Sequence, residues 1–312
     1  MQIHEGLADF PSIAYAVVTS GTFDGVHVGH QKILFRLREL AKRNKGETVL
    51  LTYWPHPRLV LYPKEHHLRL LSTFEEKVAL LRDFGIDHLI VLPFTPEFSQ
   101  MSSVDFIQTI LVDKIQTKRL VIGYDHKFGK NREGSFDYLQ AHSKELGFAI
   151  EEISRQDIDA MGVSSSKIRT ALESGDLPTA TSYLGRPYSL TGEVVIGQQI
   201  GRSIGFPTAN ILVKDDYKLL PKNGVYAVTV HLEDQQYKGM LNLGNRPTVS
   251  GEQKTIEVHL FGFSGDLYHK QITVNFIQFL REEIKFADLT ALKTQLILDQ
   301  DKALHVLKTQ NQ

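Results

Sequence analysis

The chain has 312 residues, 42% of them hydrophobic, with 35 lysines and arginines against 36 aspartates and glutamates and a formal net charge of -1. A chain this long buries a substantial core and is expected to form two domains, while the near-neutral balance excludes an electrostatic footprint for duplex nucleic acid or an anionic membrane. With no cysteine in the chain, disulfides, thiolate nucleophiles and cysteine zinc sites are excluded together, so small ligands held by local groups are expected.

The first residues have no basic n-region and carry Glu5 and Asp9 ahead of the first apolar run. No later apolar stretch approaches bilayer length, which leads to the expectation of a soluble, unexported, cytoplasmic protein. Strand-like runs follow at 12–20, 47–53, 88–94, 118–124 and 148–154. Between them, 28–43, 73–84, 103–115 and 136–146 place apolar residues three and four apart, as in Ile33, Leu34, Leu37, Leu40 and Ala41. The alternation predicts an α/β domain, a parallel sheet covered by helices. The stretch SGDLPTATSYLGRPY, 174–188, gathers glycine, proline and small polar residues and is the expected junction. Beyond it, 189–197, 224–233, 255–263 and 271–280 read as strands joined by Gly, Asn and Asp turns without intervening helices, a second, β-rich domain. A helix at 288–308 closes it, with Leu289, Leu292, Leu296, Ala303 and Leu307 forming one apolar stripe.

The segment TSGTFDGVHVGH, 19–30, lies between the first strand and the first long helix. Residues Gly21 to Gly25 form the turn, and His27 and His30 fall in or just before the first helical turn, where an i, i+3 spacing lets both rings face one way. A helix N-terminus offers unpaired N–H groups and the positive end of its dipole, so phosphate is the natural guest. Two histidines without a third ligand under-fill a zinc site. A capped helix with incidental histidines is the plainer alternative.

GTFDGVHVGH resembles the phosphate-binding signature of the HxGH nucleotidyltransferase superfamily. TYWPHP (52–57), GYDHKFGKNREG (123–134) and VSSSKIR (163–169) stand in the order found in its FAD synthetase branch. The C-terminal half resembles riboflavin kinase through GEVVIGQQIGRSIGFPTANI (192–211), NGVYAV (223–228), GMLNLGNRPT (239–248), TIEVHLF (255–261) and FLREEIKF (279–286). Together these segments are similar to the bacterial bifunctional riboflavin kinase/FMN adenylyltransferase family over nearly the whole chain. The resemblance implies a Rossmann-like nucleotidyltransferase domain over 1–184 and an antiparallel β-barrel kinase domain with a terminal helix over 185–312. It implies ATP as co-substrate, Mg²⁺ as cofactor, and riboflavin, FMN and FAD as substrates or products.

In the adenylyl transfer so implied, a phosphate oxygen of FMN attacks the α-phosphorus of ATP and pyrophosphate leaves. A phosphate monoester has its second pKa near 6, so this nucleophile is already ionised and needs no base. The site must supply alignment and charge neutralisation, the role expected of His27 and His30. By resemblance, Gly21, Phe23, Asp24, Asp125, Arg132, Ser165, Ser166 and Arg169 complete the ATP and phosphate site. SSSKIR also reads as a serine-capped helix with solvated Lys167 and Arg169. The basic loop holding Lys127, Lys130 and Arg132 has a plain reading as a solvated loop. His126 stands where the family commonly has phenylalanine, and Trp54 is open to a reading as rim packing.

The kinase half meets an alcohol, the terminal ribityl hydroxyl of riboflavin, so a positioned base is needed. In TIEVHLF the alternation puts Ile256, Val258 and Leu260 on one face and Glu257, His259 and Phe261 on the other. Glu257 is the expected base on the strength of the resemblance; alone it reads as an ordinary strand glutamate. GQQIGRS lacks the spacing and lysine of a Walker A loop. ATP is expected instead on Gly197, Gly201, Arg202, Gly205, Pro207, Thr208 and Asn210, where glycines let backbone N–H groups approach phosphate. The neutral oxygens of Thr208 and Asn210 suit Mg²⁺ whose other ligands are phosphate and water. Arg281 is an expected flavin contact by resemblance and otherwise an exposed strand-end charge. Two alternatives stay open: a riboflavin kinase whose first half is a degenerate or differently directed nucleotidyltransferase, and a non-catalytic flavin-binding regulator. Expected partners are small molecules, with no nucleic acid and no membrane, acting on a monomer or weak homo-oligomer.

Overall fold

A computed structural model describes residues 1–62, 68–124, 126–154, 162–197, 199–248 and 251–309. The chain divides into two compact units, Met1–Ser165 and Ser166–Gln312.

The first unit is built on a parallel sheet of six strands: β1 (Gln2–Glu5), β2 (Ala16–Ser20), β3 (Glu47–Trp54), β4 (His88–Pro93), β5 (Thr117–Gly123) and β6 (Ala149–Ile153), in the order β1-β4-β3-β2-β5-β6. Successive residues of the central strands face opposite layers, as the two-residue strand period requires. Val18, Val49 and Leu51 pack with Phe106, Ile107 and Leu139 on one face, while Val17, Leu50 and Leu89 pack with Leu34, Leu37 and Leu81 on the other. The covering helices are α1 (Val28–Arg43), α2 (Pro57–Leu61), α3 (Phe74–Asp83), α4 (Ser103–Asp105, running into the π-helical Phe106–Lys114) and α5 (Phe136–Leu146). Ile33, Leu34, Leu37, Leu40 and Ala41 of α1 are buried as their spacing requires. The helix expected at 103–115 is present but wider than an α-helix; Ile115 N–H donates to Ile110 O at 3.0 Å, an i→i+5 bond. Because β2 pairs with β3 on one side and β5 on the other, the chain leaves the sheet in opposite directions there, opening a crevice at the carboxyl ends of these strands.

Helix α6 (Ser165–Ser174) starts at the last residue of the first unit and runs into the second, where α7 (Leu177–Leu184) precedes six strands, β7 (Tyr188–Val195), β8 (Ala209–Leu212), β9 (Gly224–Leu232), β10 (Gln235–Thr248), β11 (Gly251–Leu260) and β12 (Gln271–Arg281). They close into a barrel in the order β10-β11-β8-β7-β12-β9, every neighbour antiparallel. A short helix, α8 (Ile200–Ser203), sits between β7 and β8, and α9 (Leu289–Thr309) packs across β9, β10 and β12. The expected fold, a parallel-sheet α/β domain followed by an antiparallel barrel with a terminal helix, is the one observed.

Three local expectations change. The stretch 174–188 holds α7: Asp176 caps it by accepting from Thr179 N–H, Pro178 lies in its first turn, Gly185 ends it, and Leu177, Ala180 and Leu184 are buried. On α9, Ala303 and Leu307 reach the core, but Leu289 is 54% exposed and Leu292 and Leu296 line a cavity. The edge strand β1 and the short β8 were not expected, because four residues are too few for a period to show, nor was β10, whose Gly239, Gly244, Asn245 and Pro247 have the composition of turns. Inside the barrel the rings of Tyr226 and Phe276 meet edge to face at 5.0 Å, both fully buried. Phe276→Ala is expected to cost about 3–5 kcal/mol and to lower the denaturant midpoint of the second unit.

Candidate active sites

The first site begins where β2 runs out at Ser20. Phe23 takes a left-handed conformation (φ 48°), as does Gly25 (φ 76°), folding the chain back before α1 starts. A side chain at Gly25 would meet the Cδ1 of Leu71 at 2.7 Å, so only glycine fits both the angle and the space. The turn is latched by the segment ahead of α3: Leu71 and Ser72 N–H donate to Asp24 Oδ1 at 2.9 and 3.2 Å, and Gly25 N–H donates to Ser72 Oγ at 3.1 Å. Asp24, 4% exposed, thus fixes the turn. Gly21 N–H is held by Leu51 O at 3.0 Å.

His27 is the N-cap of α1; its Nδ1 accepts the His30 N–H at 3.4 Å, which leaves the proton of the neutral ring on Nε2. The two imidazoles stack at 3.6 Å with an interplanar angle of 16°, and Phe23 packs on His30 at 4.9 Å. Burial first, then the neighbouring His27 and Lys77, push the His30 pKa well below the usual histidine value, so this ring is neutral at physiological pH. Its Nδ1 is sealed from solvent and has no hydrogen-bond partner among the described residues. Ser165 Oγ donates to Asp24 O at 3.3 Å, so the structure brings Gly21, Phe23, Asp24, His27, His30 and Ser165 together. Ser166 and Arg169 follow on α6, the former exposed and the latter half-buried.

Asp125 and the side chain of Arg132 lie outside the described residues; the backbone of Arg132 ends a tight turn, Lys130–Arg132. His126 Nε2 lies 3.0 Å from Ser20 Oγ and its ring stacks with Phe128 at 5.8 Å, so it reaches the end of β2 as a polar group. Trp54 packs on Phe74 at 5.2 Å, and the ammonium of Lys77 lies 5.2 Å from its ring centre. Sequence reasoning missed Lys77, which sits on α3 and is 4% exposed; the only signal was a charge at a helix position with a buried face.

The second site is a cavity of about 260 Å³ on the outer side of the barrel. Gly201, Thr208, Glu257 and Arg281 are among its walls, joined by Asn242, His259 and Glu283. Glu257 faces Asn210 directly in the β11/β8 register and Asn242 in the β11/β10 register, while Ile256, Val258 and Leu260 are buried on the opposite face, as the alternation required. His259 Nδ1–H donates to Pro207 O at 2.7 Å, tying the Pro207–Asn210 segment to the strand that carries Glu257. A side chain at Gly197 would collide with Asn210, and one at Gly201 with Phe206 O. Gly205 (φ 89°) turns the chain ahead of Phe206, whereas Arg202 is exposed and outside the cavity wall.

Arg281 is neither free nor solvated. Its Nε lies 2.9 Å from Asp299 Oδ1 and its terminal nitrogen 2.6 Å from Oδ2, a fork-on-fork pair with a carboxylate that is 0% exposed. Gln295 Nε2 donates to the same carboxylate at 2.9 Å, and Arg281 lies 5.8 Å from the ring of Phe286. The pair bolts α9 to β12 and so sets the cavity wall that Leu292 and Leu296 complete.

A doubly wound parallel sheet presenting two histidines at a strand–helix turn, followed by an antiparallel barrel gathering a carboxylate and a threonine in one cavity, defines a two-domain nucleotide-handling protein. Family models agree unit by unit: FAD synthetase matches residues 11–167 and riboflavin kinase residues 184–307. The chain belongs to the bifunctional riboflavin kinase/FMN adenylyltransferase family. It is 40% identical to the bifunctional riboflavin kinase/FMN adenylyltransferase of Pseudomonas fluorescens, with 96% of each chain covered. It is 38% identical to that of Haemophilus influenzae, with 97% of this chain and 98% of the other covered. A crystal structure named as a macrolide-efflux protein from Streptococcus pneumoniae superposes with a TM-score of 0.87 at 27% identity, covering 96% of this chain and 97% of that one. Among the described residues here, no helix is long and apolar enough to cross a membrane.

Asp299→Ala strands the guanidinium in a buried position and is expected to destabilise the second unit by about 3–5 kcal/mol, seen as a lower thermal midpoint.

Proposed function

We propose that this chain phosphorylates riboflavin to FMN at the barrel cavity and adenylylates FMN to FAD at the histidine turn, with residues 185–312 carrying the first reaction and 1–184 the second. The observation that carries the reading is the register of β11 on β8, which sets Glu257 opposite Asn210 on the face that also offers Thr208 to the cavity.

In the kinase step Glu257 accepts the proton of the terminal ribityl hydroxyl as its oxygen attacks the γ-phosphorus of ATP, and ADP leaves. The apolar part of the cavity, with Phe286, Leu292 and Leu296, suits the flavin ring. ATP lies along 197–210, where Gly197, Gly201 and Gly205 keep the backbone accessible and Arg202, Pro207 and Asn210 flank the phosphates. Mg²⁺ fits the oxygen donors present: Thr208 and Asn210 are neutral, and Glu257 stands across the strand pair from Asn210. When bound, the ion neutralises phosphate charge. Arg281 serves the flavin pocket by holding α9 through Asp299.

In the adenylylation step the phosphate of FMN is its own nucleophile, so the protein aligns rather than deprotonates. His27 Nε2–H and the N-terminus of α1 donate to the triphosphate, and His30, kept neutral, presents an imidazole whose Nδ1 awaits a partner. Ser165, Ser166 and Arg169 extend the same phosphate site, and Gly21, Phe23 and Asp24 shape it. Asp125 and Arg132 are assigned to the nucleotide through the family resemblance. The protein works in the cytoplasm as a monomer or weak homo-oligomer, on small molecules alone.

Two variants separate the sites. Glu257→Gln is expected to lower FMN formation by about 10²–10⁴-fold while FMN supplied directly is still converted to FAD. His27→Ala with His30→Ala is expected to do the reverse. Chromatography of flavins after incubation with riboflavin, ATP and Mg²⁺ reads both, and loss of both activities in either variant contradicts the assignment.

A further inference from the structure

Lys77 is a buried ammonium with only neutral hydrogen-bond partners. Its Nζ lies 3.4 Å from Thr22 O and 3.1 Å from Thr52 Oγ1, beneath the turn that carries His27 and His30. The rings of Trp54 and Phe74 flank it at 5.2 and 5.6 Å. No ion pair to Lys77 occurs among the described residues. The nearest acid in the turn, Asp24, has its Oδ1 engaged by two backbone N–H groups. A lysine has three donors, and here two are directed at neutral oxygens. Burying a charge whose hydrogen-bond partners among the described residues are neutral is costly even with Asp24 nearby, and sites that bind anions are where that cost has a use.

We propose that Lys77 is a positioning residue of the adenylyl-transfer site, a fixed positive charge that holds the Gly21–Asp24 turn through Thr22 and lends its field, from beneath His27 and His30, to the bound ATP triphosphate. The proposal rests on the reading of this site as the adenylyl-transfer site. The charge is placed where a polyphosphate would complete it, at the crevice between β2 and its two neighbours. It also bears on His30, whose neutrality Lys77 helps to enforce. Among the described residues the charged and titratable groups coupled to it are Asp24 from the turn and His30 from α1. On its own helix, Glu76 is occupied by the N-terminal capping box with Thr73. Burial lowers the Lys77 pKa to about 8, with Asp24 opposing the shift. Its charge therefore fades as pH rises through that value, and the bound triphosphate, which favours the protonated form, should lose affinity there.

The test uses the full chain with Lys77→Met and Lys77→Arg. Initial rates of FAD formation from FMN are measured against ATP and against FMN separately, from about pH 6.5 to 9.5, a range that brackets the lysine's titration. Conversion of riboflavin to FMN by the same preparations reports on the integrity of the chain. Lys77→Met is expected to raise the KM for ATP at least tenfold and to leave the KM for FMN and the kinase rate unchanged. Its thermal midpoint should stay level or rise, because a desolvated charge has been removed. The wild type should show a rising KM for ATP above about pH 8, while Lys77→Arg, always charged, should restore binding and flatten that rise. Four outcomes would overturn the proposal: a Met variant with unchanged ATP dependence, a change confined to the KM for FMN, a fall in thermal midpoint matching the loss of activity, or persistence of the alkaline rise in the Met variant. Absence of FAD from the wild type would instead overturn the reading of the site itself.

Discussion

A protein whose formal charge is -1 has no general field with which to gather nucleotide, so each triphosphate must be held by donors and cations assembled at one point. In the first unit the point we propose is the start of α1, where the surrounding groups hold a turn with left-handed backbone angles in place. Phe23 and Gly25 supply the backbone angles, Asp24 and Ser72 latch the turn to the segment ahead of α3, and Lys77 reaches up from α3 to the carbonyl of Thr22. Burial lowers the pKa of this ammonium to about 8, a cost that the nearby Asp24 partly offsets. The hydrophobic layers on both faces of the sheet, running from Val17 and Val18 outward, are what allow the unit to tolerate it.

The two sites differ because their acceptors differ. In the reading proposed, a phosphate monoester arrives ionised, and the turn at His27 accordingly offers donors and a dipole. An alcohol arrives protonated, and the barrel cavity accordingly places Glu257 on its wall. Neither site uses a lysine-bearing phosphate loop of the Walker kind. In the barrel the segment we propose for that task is the glycine-rich connection from β7 to β8, anchored where His259 meets Pro207 O.

Much of this was legible in the residues. The period-3.6 pattern over 28–43 and the continuous apolar runs on either side define the β2–turn–α1 unit, and the alternation Ile256, Val258, Leu260 against Glu257, His259 fixes which face of β11 is buried and which lines the cavity. What escaped was of three physical kinds. Short elements such as β1 and β8 contain too few residues for a period to emerge. Helix α7 was hidden by its own punctuation: Asp176, Pro178 and Gly185 are the cap, first turn and terminator of a helix, yet they have the composition of a linker. Pairings distant in sequence left no local trace, so the partner of Arg281 at Asp299 and the place of Lys77 under Thr22 emerged only from the fold. The same holds for Trp54, which covers a charge.

The wall of the barrel cavity is closed by a helix that begins at Leu289, and the arginine on β12 finds its carboxylate only at residue 299. During synthesis from N-terminus to C-terminus, the turn of His27 and its supporting α3 emerge from the ribosome with most of the polypeptide still to be made. The cavity of the barrel is instead completed only once residues 289–299 have been added. A nascent chain thus exposes the outer face of its barrel, with Met240 and Ala227 uncovered and Arg281 unanswered, until that segment docks. A chain interrupted before Leu289 would keep the first unit and leave the cavity of the second without the wall that Leu292 and Leu296 supply.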